Sequence, residues 1–154
     1  MNFRKAGLII VGVLLVALYF LNRKDVELCP QQPVQIQAIS ASGGEMQAVI
    51  RLKNPNLLSS TIKTIHEKFY INGVLLGILD NELNQGIPGL KETEFPANIR
   101  FSNSDYQRAL ALDSTHTTPQ VITIEGDIQF QNLFTSGKIL VNQSAPVAVQ
   151  ANEK

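Results

Sequence analysis

Met46-Gln47-Ala48-Val49-Ile50-Arg51-Leu52-Lys53-Asn54-Pro55-Asn56 is the stretch on which the fold turns, and it is answered downstream by Ile71-Asn72-Gly73-Val74 and Gly77. Met46, Ala48, Ile50 and Leu52 alternate with Gln47, Val49, Arg51 and Lys53, the period of a strand with one buried face. Pro55 ends that strand. It has no amide hydrogen for a ladder and biases Asn54 toward an extended conformation, while Asn56 tolerates left-handed geometry and can bond its own backbone. A corner or bulge is expected here. Further on, Ile65, Phe69 and Ile71 share one side of a second strand, with His66, Lys68 and Tyr70 on the other. That strand meets Asn72-Gly73, the dipeptide suited to a type I′ turn because both central residues need positive φ. Val74 to Leu79 is therefore expected to return antiparallel.

Working outward, Val34 to Ala41 reads as an earlier strand, turned by Ser42-Gly43-Gly44 to pair with the Met46 strand. Leu57 to Lys63 reads as the corner after Asn-Pro-Asn, the hairpin runs to about Asn84, and Gln85 to Leu90 is a loop by composition. Thr93, Phe95, Ala97, Ile99 and Phe101 then line one face of a strand whose outer face carries Pro96, which predicts an edge or a bulge. Ser102 followed by Asp105 resembles a capping box with a short acid, and Tyr106, Ala109 and Leu110 recur at helical spacing. Ile122 to Phe130 alternates again, with Phe134 to Asn142 as its hairpin partner and Ala145 to Val149 as a possible last strand. About seven or eight short strands with regular turn signals predict an all-β sandwich with one short helix.

The order and spacing of Asn54-Pro55-Asn56, Asn72-Gly73 and Gly77 resemble the late embryogenesis abundant type 2 family, whose unit is also called the water-stress and hypersensitive-response (WHy) domain. Glu94-Phe95-Pro96-Ala97-Asn98-Ile99-Arg100-Phe101 resembles the strand that follows the hairpin in that family. The resemblance covers most of Gln35 to Val141. It implies an immunoglobulin- or fibronectin III-like antiparallel β-sandwich and a non-enzymatic role in stress tolerance or envelope maintenance, through protein or surface contacts. It supplies no ligand-binding residue, and Asn54, Pro55, Asn56, Asn72, Gly73 and Gly77 read as formers of turns and corners.

The chain has 154 residues, enough for one domain and an appendage. The appendage is the N-terminus. Arg4 and Lys5 precede a charge-free apolar run from Ala6 to Leu21, and Arg23 and Lys24 follow it. The run would rise roughly 24 Å as a helix, at the lower edge for a hydrocarbon core of ~30 Å, with Asn22 and the flanking bases snorkelling to extend it. No small-residue cleavage site follows, which favours an uncleaved anchor over a secretory signal. These features predict residues 1–5 as a basic flank, 6–22 as a single transmembrane anchor, 23–33 as an extended polar linker, 34–142 as the sandwich and 143–154 as a tail. The positive-inside rule favours an extracytoplasmic, periplasmic domain.

Chemistry is hard to find. Formal charge balances at zero, and without a basic stripe to neutralise phosphates no nucleic-acid partner is expected. Cys29 is the only cysteine. It reads as a free thiol in the linker, with an intermolecular disulfide as the sharper alternative and lipidation disfavoured by Glu27 and Leu28 before it. His66 and His116 lack ligand spacing, although Asp113 stands near His116, so no metal is expected. Glu92 with Glu94, and Glu125 with Asp127, fall on outward strand faces and read as solvated pairs. There is no Gly-x-Ser-x-Gly elbow, and the glycine pairs lack the following helix of a phosphate cradle. Asn142-Gln143-Ser144 matches the N-glycosylation pattern, which matters only in a eukaryotic secretory pathway. Catalysis, a cofactor and a small-molecule substrate are not expected. The competing role is a structural or adaptor subunit of a membrane-anchored assembly, recruiting protein partners through its edge strands.

Overall fold

Alternating apolar residues fold into long strands, and two sheets bury their apolar faces against each other. The computed structural model describes residues 3–31, 34–40, 44–112 and 121–146. In chain order these form α1 (Phe3–Leu21), β1 (Glu27–Leu28), β2 (Val34–Ser40), β3 (Glu45–Lys53), β4 (Ser60–Ile71), β5 (Val74–Ile87), β6 (Glu92–Arg100), α2 (Asn103–Ala111), β7 (Val121–Gln131) and β8 (Ser136–Pro146). In one sheet β1 and β2 follow one another along one side of β3, and β6 takes the other side; the second sheet runs β5-β4-β7-β8. Every pairing is antiparallel. β5 meets β6 along one flank, and β2 meets β8 along the other.

The core is what the alternation placed inside. Met46, Ile50 and Leu52 of β3, Phe95, Ala97 and Ile99 of β6, Ile65, Phe69 and Ile71 of β4, and Ile122, Ile124, Ile128 and Phe130 of β7 are all buried in one cluster. Each large side chain among them contributes on the order of 2 kcal/mol through its removal from water. Tyr106 and Ala109 bring α2 onto the same cluster. α2 begins where the capping pattern put it: the Ser102 hydroxyl accepts a bond from the Asp105 amide at 3.1 Å and donates one to the Asp105 carboxylate at 2.8 Å. Pro96 is tolerated because β6 is an edge strand, paired only with β3, and its register runs unbroken past the proline.

Several expectations need correcting. β4 begins at Ser60 and β5 extends to Ile87, so the corner shrinks to residues 54–59 and the following loop to 88–91. A register shift between Ile62 and Thr64 hides this in the sequence, because it breaks the period-2 count where the strand starts. The polar linker is also part of the fold: β1 pairs with the end of β3, and Val26 and Cys29 are buried. The residues after Asn142 continue β8 to Pro146 and do not form a separate strand; the rest of the tail lies outside the described residues.

The largest correction concerns the fold class, which was expected to include an N-terminal transmembrane helix beside one short helix. Among the described residues there are two antiparallel sheets and two helices, and no helix there is long and apolar enough to cross a membrane. The physical reason lies at both ends of α1. Arg4 and Lys5 stand in its first turn. At its other end Asn22 does not snorkel outward to lengthen the apolar run but is fully buried against the sandwich. Residues 9–17 and 19–21 of α1 are nevertheless exposed on every side.

Gly126 marks how tightly β4 and β7 pack. A Cβ there would lie against the His66 carbonyl oxygen and 2.6 Å from the Cα of Glu67. A Cβ at Gly86 would meet nothing within 4 Å. Gly126→Ala is therefore expected to destabilise by about 2 kcal/mol or more, whereas Gly86→Ala changes stability by no more than about 0.5 kcal/mol. Parallel urea melts of the two variants check this; equal effects would refute the packing assignment.

Candidate functional site

The motif residues separate into two groups at opposite ends of the sandwich. At the end where α1 joins, β3 stops and the chain crosses to the other sheet, leaving backbone groups without a ladder. Asn54 and Asn56 supply the missing partners. The Asn54 side-chain amide donates to the carbonyls of Leu58 and Ile87, both at 3.0 Å, while its oxygen accepts from the backbone and side-chain nitrogens of Asn56, each at 3.0 Å. Bridging over Pro55 in this way suits a residue that cannot donate. Asn56 then holds Lys24 from both sides: its Nδ2 donates to the Lys24 carbonyl at 2.8 Å, and its Oδ1 accepts from the Lys24 amide at 2.9 Å. Both asparagines are fully buried.

Two further asparagines complete this end. Asn22 donates to the Leu18 carbonyl at 2.7 Å, closing the last turn of α1, and accepts from the Leu58 amide. Asn132 donates to the Asn22 carbonyl at 3.0 Å while its own oxygen accepts from the amides of Phe134 and Thr135, both at 2.8 Å. Aromatic contacts add to the joint. Tyr19 meets Phe134 edge to face with centroids 5.8 Å apart, and the Arg23 guanidinium lies 4.9 Å from the centre of the Phe20 ring. The four amides are neutral and mutually satisfied. They offer neither nucleophile nor base, and what they do is fix where the apolar helix leaves the domain.

At the far end Asn72 and Gly73 adopt φ of 48° and 78°, the left-handed pair that a tight β4–β5 hairpin needs, and Asn72 donates to the Ala109 carbonyl at 3.1 Å to seat α2. Gly77 lies where β5 approaches β6; a Cβ there would stand 2.5 Å from the Ile99 side chain.

Other titratable groups are dispersed. Glu92 and Glu94 point outward as expected, with Glu94 paired to Arg51 at 2.8 Å. Asp127 pairs with Lys138 at 3.0 Å, and His66 stands 3.4 Å from Asp80. His116 and Asp113 lie outside the described residues. Cys29 borders a surface recess with Pro30, Gln31, Arg51 and Glu92, yet its side chain is buried. Burial first, and then the Glu92 carboxylate, push its thiol above the ordinary range, against the pull of Arg51 and Lys53. A protonated, enclosed thiol is a poor attacker of disulfides. Among the described residues no three His, Cys, Asp or Glu side chains cluster as metal ligands.

One carboxyl was missed by the sequence reading. Glu67 is fully buried on the core side of β4, opposite Leu79 and Gly126, and neither carboxyl oxygen has a hydrogen-bond partner. Its parity with Ile65, Phe69 and Ile71 was the available signal. Desolvation, helped by the charge of Asp127, pushes Glu67 up to about 7.

No family model matches the chain, and no curated protein gives a significant match. Solved structures do. A protein from Archaeoglobus fulgidus superposes with a TM-score of 0.55 at 9% identity, over 83% of this chain and 98% of its own. An Arabidopsis thaliana protein known from its solution structure gives 0.57 at 13% identity, over 85% of this chain and 83% of its own. A third, provisionally described as a late embryogenesis abundant protein, gives 0.46 at 16% identity, over 96% and 88%. The likeness is one of fold, carried by the first two.

Two outcomes follow from this geometry. Asn56→Ala leaves both backbone groups of Lys24 unpartnered and is expected to cost about 2 kcal/mol in denaturant melts. For Glu67, the folded state holds a proton that the unfolded chain has already lost above about 4.5. Stability is therefore highest below that pH and falls as pH rises through about 7, by about 3 kcal/mol in all. Glu67→Gln should flatten that slope between mildly acidic and mildly alkaline buffers; an unchanged slope would assign it to another group.

Proposed function

We propose that this chain is a non-enzymatic sandwich of the late embryogenesis abundant type 2, or WHy, kind, which protects by contact at a lipid surface in an extracytoplasmic compartment. The observation that carries this reading is the pinned, all-round apolar α1. Ile9 is 67% exposed and Leu14 62%, and removing such a helix from water is the dominant favourable step open to this molecule. A lipid interface takes up such a helix without being crossed, with Tyr19, Phe20, Arg23 and Lys24 at headgroup level. The Asn-Pro-Asn motif that resembles the family supports the same reading, since its Asn56 binds Lys24 just beyond the end of α1. A contact role asks nothing more of the sandwich than a stable frame.

A second reading, a structural subunit that recruits partners by strand addition, is favoured by one feature. β8 is an edge strand whose only charge is Lys138, and Leu140 on it is 75% exposed. The β6 edge, with Glu92, Glu94 and Arg100, is guarded.

The full chain is to be reconstituted with vesicles of phosphatidylcholine and a minority of phosphatidylglycerol, loaded with a self-quenched dye, dried and rehydrated. Vesicles bearing the chain are expected to retain markedly more dye than vesicles bearing an unrelated β-protein. Equal leakage would sink the protective reading, and chain-dependent sedimentation of the protein alone into strand-paired oligomers would favour the second.

A further inference from the structure

We propose that the end of the sandwich from which α1 emerges is itself a lipid-docking face, on which Leu57, Leu90 and Leu133 enter the membrane interface around the base of the helix. This rests on the lipid reading of α1 and extends it from the helix to the domain.

Three loops meet at that end, and each carries one exposed leucine. Leu57 follows Asn56, whose side chain grips the backbone of Lys24. Leu90 is tied to the same residue, since its amide donates to the Asn56 carbonyl at 2.8 Å. Leu133 sits between Asn132, which holds the Asn22 carbonyl, and Phe134, whose ring meets Tyr19. Every one of the three is thus adjacent in sequence, or hydrogen-bonded, to a residue that touches the α1 exit. Their exposures are 51%, 65% and 73%.

Folding does not account for these choices. A loop tip gains nothing in the native state from an exposed leucine, and Leu90 also sits at φ 56°, where glycine or asparagine is at ease and leucine is strained. Three exposed leucines on the loops of one end, one of them on strained backbone, form a patch and not scattered single residues. The choice of occupant follows from α1. A groove on a protein covers one face of a helix, whereas residues 9–17 are exposed all round, and a fluid lipid interface covers more of such a helix than a rigid groove does. The loops at the helix base then meet its surface. Lys91 follows Leu90 in sequence, Arg23 and Lys24 follow α1, and all three suit anionic headgroups.

The chain contains no tryptophan, so single Leu→Trp variants report their own surroundings. Leu57→Trp, Leu90→Trp and Leu133→Trp are compared with Leu112→Trp, which lies after α2 at the opposite end. Each full chain is bound to vesicles of phosphatidylcholine with a minority of phosphatidylglycerol, brominated near the headgroup end of the acyl chain. The three loop tryptophans are expected to lose roughly half of their emission, the depth reached by interfacial groups, while Trp at 112 keeps its intensity. In parallel, the exposed substitutions L57S, L90S and L133S should leave the melting curve unchanged and each weaken vesicle binding roughly fivefold. If the full chain floats with vesicles but none of the loop tryptophans is quenched beyond the control, the docking face is refuted and α1 alone makes the contact. If the full chain does not float at all, the lipid reading of α1 fails and the docking face with it.

Discussion

A strand that stops inside a protein leaves amides and carbonyls that water cannot reach, and these must find partners or the corner will not close. In this chain that constraint falls hardest where β3 gives way to β4. Asn54 and Asn56 answer it. Each asparagine side chain carries a donor and an acceptor like a peptide group, so two of them can replace the ladder lost at Pro55 and reach outward to the loops on either side. Through Lys24, Leu58, Ile87 and Leu90 the same pair gathers the segment after α1, the start of β4, the end of β5 and the loop before β6. The architecture of one end of the molecule thus depends on two neutral amides.

Much of the sandwich was legible because its strands obey the period-2 rule over many residues. The Met46 to Lys53 and Ile122 to Phe130 runs, the Asn72-Gly73 turn and the Ser102 cap all lie where their local chemistry puts them. The illegible parts have physical causes. A bulge near Lys63 shifted the alternation, which hid the first residues of β4 and their partners in β5. Val26 and Cys29 are too few to announce a strand, and only pairing with β3 makes β1 one. The joint at the α1 exit could not be read at all, because Asn22 and Asn132 are far apart in sequence and nothing local marks them as partners. α1 was legible as an apolar helix, but Asn22, expected to extend it outward, is instead buried against the sandwich.

Glu67 shows a different balance. An ionised carboxylate without a partner would be very costly in that position, so the fold tolerates it as an acid at low pH and strains against its charge at high pH. The residue does not stabilise the sandwich; it makes the core sensitive to something outside the molecule. Gly126 opposite it keeps β7 close enough for the pairing of the two strands to continue across this weak point.

The bond from Asn132 to the carbonyl of Asn22 spans 110 residues of sequence. During synthesis α1 leaves the ribosome well before the hairpin loop whose Asn132 bonds to its exit. Until β7 and β8 have formed, the exit of α1 rests on the bonds from Asn56 and Leu58 alone, without the one from Asn132. The molecule therefore makes its most water-averse element before the last of the bonds that fix its direction, so that a segment with no partner in the domain must wait, exposed, for its joint to be completed.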